Sequence, residues 1–479
     1  MGDARLPQEL ASLVARRLAE RRGEFAVVGM ARSGVAAARL LRAAGLSVYV
    51  SDASQNDAVR AAAVLLDREG ASVDVGTHNL MRLAHASLVV ISPGVPPNAP
   101  SVRAAQAAGV PVVSEVEIAL RLQPALRYVA ITGTNGKTTT TALTAHLLRA
   151  LGHDAAEVGN IGTPVSELAL RKVPPPWAAL EISSFQLHDT PGLMPDVGVL
   201  TTLSPDHLDR YDGVEAYYAD KRRLFANATA MSHWVITADN VDVAAMVHGI
   251  PGQFHRFSTE RSDLTAHDAW FDRASGMLHV LGAPLVARDR FALPGDHNAA
   301  NALAALLAVM VADPVHTTPA SRAALAEALG TFQALPHRLE PVLDRDGLLW
   351  MNDSKATNVA STLVALRSMT RPAVVLLGGR HKGEPYTALV PELRRTAKAV
   401  LAYGEAASRI IADLEEPLRG TVPVERLVGA SFVEVMQRAR TLAQSGDVIL
   451  LSPACSSYDM FPNYEERGKH FGQMAHALG

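Results

Sequence analysis

Hydrophobic positions along the chain fall into short β-branched runs separated by stretches with helical spacing. From Phe25 the runs FAVVG, SVYVSD, LVVISPG and VPVVSE alternate with helical patterns such as Val35–Ala44 and Ser101–Ala108, as parallel βαβ units require. A second series opens with RYVAITGTNGKTTT and passes through WAALEISSF and VGVLTTLSPDHLD. It continues into a polar, hairpin-like stretch from about 254 to 291 and ends in helices over 298–312 and 319–329. A third series begins after LPHR with LLWMNDSKATN and runs through AVVLLGGR, AVLAYGE and DVILLSPACSS. Each series predicts its own sheet, so the chain reads as α/β with domains at 1–114, 115–336 and 337–479. Its 479 residues agree, at roughly 150 residues per domain, with about three such units.

The carboxyl ends of the apolar runs carry the informative residues: Gly29, Asp52, Ser92, Gly133, Glu181, Asp206, Asp353, Gly378 and Ser452. In parallel sheets ligands collect at that edge. ITGTNGKTTT follows a strand pattern and leads into a helical one. Glycines there let backbone N–H groups curl around an anion, Lys137 neutralises phosphate, and Thr138 can hold Mg²⁺. The strict phosphate-loop pattern wants Gly at 131, where this chain has Ile, so the motif is a close variant. Glu181, ending WAAL beside that loop, is placed to hold the metal or its water. VVGMARSG carries Gly29 and Gly34 of a dinucleotide fingerprint but Ala31 at the second glycine, with Asp52 eighteen residues past Gly34. The pattern leaves a nucleotide-like ligand and a plain βαβ turn equally open, and disfavours a nicotinamide cofactor.

Composition narrows the class. Forty-eight percent of residues are apolar and 45 basic residues face 48 acidic ones, which excludes general disorder and gives no global attraction to nucleic acid or anionic membranes. One cysteine, Cys455, excludes an internal disulfide and a Cys-built zinc site, and suits a reducing cytosol. The longest apolar run, Ala302–Ala312, is shorter than the 18 or so residues of a membrane span. The first 24 residues break their apolar positions with charges, which reads as a surface-packed amphipathic helix and not as a secretory signal. The expectation is a cytoplasmic protein with no membrane insertion and no nucleic-acid partner.

Other groups are less decisive alone. Asp206, His207 and Asp209 could form a metal or catalytic cluster or simply cap a helix. Asn298 and Asn301, one turn apart, could read a purine edge or serve as caps. Arg338 lies at a domain seam, where it could reach a phosphate. Asp353, Lys355, Lys382 and Ser457 mix charges in a way that suits a small zwitterion.

Taken in order, GTNGKTT, GNIG, EISSFQL, SPDHLDRY, the helix bearing Lys221, LPGDHNAANALAA, LPHRLE, NDSKATN, GGRHKG and LSPACSSYDMFPNYEERG make the chain resemble the Mur ligase family over nearly its whole length. That resemblance implies a Rossmann-like N-terminal domain for a UDP moiety, a central P-loop ATPase domain and a Rossmann-like C-terminal domain that brings an amino acid. It implies ATP-dependent joining of D-glutamate to UDP-N-acetylmuramoyl-L-alanine through an acyl phosphate, by a monomer with two Mg²⁺ ions. Ser33, Asp52, Ser92 and Gly94 would face the UDP-sugar, with Asn160, Ser183 and His207 nearer its carboxylate. Gly133, Thr134, Asn135, Gly136, Lys137, Thr138 and Thr139 would cradle the phosphates, with Asn298, Asn301, Arg338 and Asp353 completing the ATP site. Lys355, Thr357, Lys382, Ser457 and Tyr464 would line the D-glutamate region. Lys137, Glu181, His207, Lys221 and Arg338 would be catalytic, and Thr138, Glu181, His207 and Lys221 would hold metal, Lys221 as a carbamate. GGRHKG stands where relatives carry a more acidic loop. An oxidoreductase, a phosphate-releasing motor module and a relative adding another amino acid are the rival readings.

Overall fold

The computed structural model describes residues 7–208, 210–260, 267–291, 293, 295–333 and 335–479. Three sheets follow the three series of apolar runs. The first sheet comprises β1 (Glu24–Val28), β2 (Ser47–Asp52), β3 (Ser72–Val75), β4 (Leu88–Ile91) and β5 (Val112–Ser114), all parallel in the order β3-β2-β1-β4-β5. β1, β2 and β4 are almost wholly buried along their length, as strands covered by helices on both faces must be. Successive strands are added outward on one side of β1 as β2 and β3 and on its other side as β4 and β5, and this switch in strand order makes the carboxyl end of β1 the natural crevice.

The second sheet has nine strands in the order β14-β13-β12-β11-β10-β9-β6-β8-β7. These are β6 (Arg127–Thr132), β7 (Ala155–Gly159), β8 (Trp177–Glu181), β9 (Val197–Leu200), β10 (His233–Thr237), β11 (Gln253–Ser258), β12 (Ala269–Asp272), β13 (Met277–Val280) and β14 (Ala283–Ala287). β6 lies between β8 and β9, with Ile131 opposite Glu181 and Thr132 opposite Leu200, so the phosphate-loop segment leaves the sheet at its switch point. The polar stretch expected to be a hairpin begins otherwise. β11 pairs in parallel with β10, and only β12 to β14 form an antiparallel meander.

The third sheet comprises β15 (Glu340–Arg345), β16 (Leu348–Asn352), β17 (Ala373–Gly378), β18 (Ala397–Tyr403), β19 (Val424–Leu427) and β20 (Val448–Leu451), ordered β15-β16-β20-β17-β18-β19. β15 alone is antiparallel to its neighbour. Two apolar clusters cover the two faces of this sheet, one around Val375, Leu377 and Leu450, the other around Trp350, Leu376 and Phe471.

By contact density the chain divides into two compact units, one of residues 1–202, 218–288 and 300–330, the other of 203–217, 289–299 and 331–479. In the first, the helix Pro7–Glu20 buries Leu10, Ala11, Val14 and Leu18, the single apolar stripe of an amphipathic surface helix. Arg121 ties it down by donating to Ala11 O at 3.3 Å. The apolar run at 302–312 belongs to the helix Asp296–Ala312, and no helix among the described residues is long and apolar enough to cross a membrane.

Candidate active site

In the first unit β6 ends at Thr132 and the helix Lys137–Ala150 starts five residues later. The turn between them is the phosphate loop read from the sequence. Gly133 adopts φ +145°, and a Cβ there would fall onto Thr201 Oγ1 and within 3.0 Å of Thr202 N; no side chain fits this position. Thr134 N donates to Thr202 O at 2.8 Å and Asn135 N to Thr202 Oγ1 at 3.0 Å, which fixes the loop against the end of β9. The Lys137 ammonium lies over the loop, donating to Gly133 O at 2.9 Å and Thr134 O at 2.7 Å. Thr138 and Thr139 follow in the first helical turn, both buried, where backbone N–H groups and the helix dipole favour an anion.

Lys221, in the last turn of the helix Val214–Arg222, is only 1% exposed and donates to Gly133 O at 2.7 Å. It is therefore a buried neighbour of the phosphate loop, not a surface lysine. Its helix is anchored by His188, whose ring lies 2.7 Å from Asp220 Oδ1, with Arg223 Nε 3.3 Å from the same oxygen. The Asp220 partnership holds His188 above its ordinary pKa against the opposing effect of burial. Neither His188 nor Asp220 stood out in the sequence, because only the fold brings the two helices together.

Glu181, also 1% exposed, stands on β8 directly beside β6. Its Oε1 accepts from Asn160 Nδ2 at 2.8 Å, and its Oε2 is buried with no hydrogen-bond partner among the described residues. A buried carboxylate oxygen without a donor is costly and suits a cation. Glu181 Oε2 and the Thr138 hydroxyl are both hard oxygen donors at the phosphate loop, a set that fits Mg²⁺. Asn160 is thus held against Glu181. Ser183 uses its hydroxyl to cap the helix Ser184–His188, accepting from Gln186 N at 3.2 Å. On the helix Asp296–Ala312, Asn298 and Asn301 are both buried, and Asn301 Oδ1 lies 3.4 Å from the Thr140 hydroxyl.

At the carboxyl edge of the first sheet, Gly34 packs so closely that a Cβ would collide with Gly29 O and come within 2.7 Å of Ser92 Oγ. This is the helix-to-strand contact for which the third fingerprint glycine is needed. Ser33 lies in the first turn of the helix Arg32–Ala43, and Gly94 lies exposed in the turn after β4. Asp52 accepts from Met30 N at 2.7 Å and Ser54 N at 2.8 Å, so its carboxylate braces the loop around the crevice.

In the second unit Asp353 is buried at the end of β16, accepting from Ser452 Oγ at 2.8 Å and Leu339 N at 3.2 Å. Burial pushes it up to about 7, against the pull of Ser452 and of Arg338. Arg338 stands next to Leu339, and its Nε is buried without a partner among the described residues. Lys355 donates to Tyr464 Oη at 3.2 Å and lies 5.0 Å from that ring's centre. Lys382 donates to Thr357 Oγ1 at 3.3 Å and lies 3.6 Å from Asp206 Oδ1, while Asp206 Oδ2 accepts from Asn358 Nδ2 at 2.9 Å. Ser457 is buried in the segment after β20. His207 follows Asp206 with φ +56° and its Nε2 3.7 Å from Asp206 Oδ2. Asp209 lies outside the described residues.

Two further residues in this unit escaped sequence reasoning. Arg467, 1% exposed, donates to Ser354 Oγ, Ser354 O and Cys455 O, and so braces two site loops from beneath. Glu384, 8% exposed, accepts from Val359 N at 3.2 Å. A charged residue in a Gly- and Pro-bounded loop gives no sign in sequence that it will be buried.

The parallel sheets, the phosphate loop and the lysine and carboxylate buried beside it define an enzyme that works on a nucleoside triphosphate. Comparison with known proteins narrows the class. Three family models match in order: "Mur ligase MurD-like, N-terminal domain" over 23–114, "Mur ligase middle domain" over 131–309 and "Mur ligase, glutamate ligase domain" over 337–455. The chain belongs to the Mur ligase family and is an ATP-dependent ligase. Among curated relatives, the UDP-N-acetylmuramoylalanine–D-glutamate ligase of Salinibacter ruber is 40% identical over 96% of this chain and 98% of its own. The ligase of the same name from Anaeromyxobacter dehalogenans is 42% identical over 94% and 96%. Among solved structures, MurF ligase from Thermotoga maritima in complex with ADP aligns with a TM-score of 0.59 at 16% identity, covering 90% of this chain and 95% of that one. A pseudomurein peptide ligase type C from Methanothermus fervidus aligns at 0.59 with 19% identity, covering 96% and 100%. At such identities these two structures speak for the fold.

Proposed function

We propose that the chain joins D-glutamate to UDP-N-acetylmuramoyl-L-alanine in the cytoplasm, as a monomer, at the expense of ATP. The observation that carries this reading is the convergence of Lys137, Lys221 and Glu181 on one phosphate loop. It agrees with the names of relatives that match over nearly their full length.

A carboxylate in water resists amide formation because it is resonance-stabilised and has no good leaving group. In this reading the alanyl carboxylate attacks the γ-phosphate and displaces ADP, and the D-glutamate amine, having given up a proton, then attacks the carbonyl of the acyl phosphate and expels inorganic phosphate. Lys137 and the amides of 133–139 offset charge on the transferring phosphoryl group. Arg338 adds a further cation and Asp353 supports the nucleotide. Thr138, Glu181, His207 and Lys221 are the candidate ligands for Mg²⁺, which when bound would neutralise phosphate charge. For Lys221 to act as a ligand its ammonium must become a carbamate, since CO₂ on the neutral amine exchanges a cation for anionic oxygens. Ser33, Asp52, Ser92 and Gly94 face the UDP-sugar, and Asn160 and Ser183 its reacting end. Asn298 and Asn301 lie near adenine. Lys355, Thr357, Lys382, Ser457 and Tyr464 take D-glutamate.

The test is phosphate release with UDP-N-acetylmuramoyl-L-alanine as acceptor, comparing D-glutamate with L-glutamate, a diamino acid and D-alanyl-D-alanine. Release stoichiometric with product and dependent on D-glutamate is expected. Preference for another amino acid would overturn the substrate assignment, and release without any amino acid would overturn the ligase reading of this site.

A further inference from the structure

The loop after β17 carries one buried carboxylate, Glu384, that the proposed reaction leaves unexplained. It is pinned to the 456 segment by Arg380 N to Ser456 O at 2.8 Å and Ser456 N to Arg380 O at 3.1 Å. It then sends Lys382 and Glu384 toward the start of the helix Val359–Ser368. There three consecutive residues each take one group: Thr357 receives Lys382, Asn358 donates to Asp206, and Val359 N donates to Glu384 Oε2. The cluster therefore contains two carboxylates, Asp206 and Glu384, and one ammonium, Lys382.

Asp206 already meets Lys382 on one oxygen and Asn358 on the other. Glu384 differs. Only 8% of it is exposed, and its Oε1 is buried with no hydrogen-bond partner among the described residues. Leaving such an oxygen without a donor is unfavourable in the folded protein, and an apolar side chain of similar size would have been cheaper. We propose that Glu384 Oε1 accepts the α-ammonium of the incoming amino acid while Lys382 meets one of its carboxylates. In that pairing the Glu384 carboxylate faces the one positive charge of the substrate, and Val359 N holds Oε2 so that Oε1 alone remains for the ligand. Burial, and secondarily the Asp206 charge, raise Glu384 to about 7, as expected of a carboxylate short of one cation.

This inference rests on the reading that Lys382 and Thr357 line the amino-acid site, and the experiment separates the two. Competitive inhibition of ligation by glutarate, which has both carboxylates of glutamate and no ammonium, is measured beside the D-glutamate KM. In Glu384→Gln the amide oxygen still accepts from Val359 N, but an NH₂ replaces the acceptor. The D-glutamate KM should rise roughly 10- to 100-fold, the range for a hydrogen bond between charged groups, while glutarate inhibition stays within threefold of wild type. Glu384→Ala should give the same split and serves if the Gln variant does not accumulate. Equal weakening of D-glutamate and glutarate would mean that Glu384 only supports the loop, and an unchanged D-glutamate KM would mean that it does not meet the substrate; either overturns the proposal. Lys382→Ala should weaken both ligands. If it does and Glu384→Gln does not, only the Glu384 assignment falls; if Lys382→Ala affects neither, the amino-acid site itself is wrong and the assignment falls with it.

Discussion

Replacing Gly133 by alanine tests whether the phosphate loop is held by backbone geometry alone. The residue sits at φ +145°, and its missing Cβ would fall onto Thr201 Oγ1, with Thr202 N and O at 3.0 and 3.1 Å. A side chain at such a φ costs about 1–3 kcal/mol, and overpacking adds about 1–3 kcal/mol. Together these are a large part of a typical stability of about 5–15 kcal/mol, so the loop should move and not simply bear the strain. Any such movement displaces Gly133 O, which accepts from both Lys137 Nζ and Lys221 Nζ. Turnover by phosphate release should therefore fall about 10²- to 10³-fold, as when a transition-state donor is lost, while the protein remains folded by circular dichroism. Gly152→Ala is the control: its φ is +85° and nothing lies within 4 Å of a Cβ there, so it should lose some stability and keep its activity. Turnover of Gly133→Ala within threefold of wild type, or an equal loss in Gly152→Ala, would refute the reasoning.

Lys221→Ala should abolish ligation, and formate or acetate should restore part of it by supplying the missing carboxylate; activity in Lys221→Arg, which keeps the cation and cannot be carbamylated, would exclude the carbamate. Glu181→Gln keeps an acceptor for Asn160 but loses the anionic Oε2, so half-saturation by Mg²⁺ should shift to higher concentration with a lower maximal rate, and an unchanged Mg²⁺ titration would remove Glu181 from the metal site. Glu115, 2% exposed and accepting from Ser166 N, is raised by burial from 4.5 to about 7. Its folded pKa lies above its unfolded one, so its favourable contribution is complete below about 4.5 and is lost as pH rises to about 7. At about 1.4 kcal/mol per pKa unit the ionised form costs on the order of 3 kcal/mol at pH 8. Glu115→Gln should accordingly unfold at higher temperature than wild type at pH 8 and at the same temperature near pH 4.5, and a pH-independent difference would count against a buried charge.

What could be read from the sequence was whatever lies close along the chain. The phosphate loop is a contiguous strand, glycine turn and helix, so Gly133, Gly136 and Lys137 announce themselves despite Ile131 in place of the first glycine. The N-terminal amphipathic helix was legible for the same reason, from charges such as Glu9, Arg16, Arg17 and Glu20 set among its apolar positions. Lys221 was different: nothing local distinguishes it from Arg222 or Arg223, and the resemblance to a family, not periodicity, singled it out. The approach of His188 to Asp220 and of Glu384 to Val359 depends on which helices the fold brings together, and no residue pattern encodes that. The stretch from 254 misled because a polar strand that pairs in parallel has the same alternation as one arm of a hairpin; the difference lies in its partner, β10, some twenty residues earlier.

The two units hold their candidate ligand groups by different means, and this bears on where specificity can change. Around the phosphate loop, position is set by backbone: a glycine with no room for a Cβ, main-chain amides bonded to Thr202, and a carbonyl shared by two lysines. Substitution there breaks the loop without redirecting it. In the second unit the groups are side chains, with Lys382, Asp206 and Asn358 held by other side chains and Glu384 by one main-chain amide. Exchanging one charge in such a set changes which ligand is neutralised and leaves the sheet beneath it intact, since the core around Val375, Leu377 and Leu450 does not include these residues. A change of amino-acid preference should therefore be sought among 382, 384, 457 and 464, and variants at 133–139 should lose activity toward every amino acid alike.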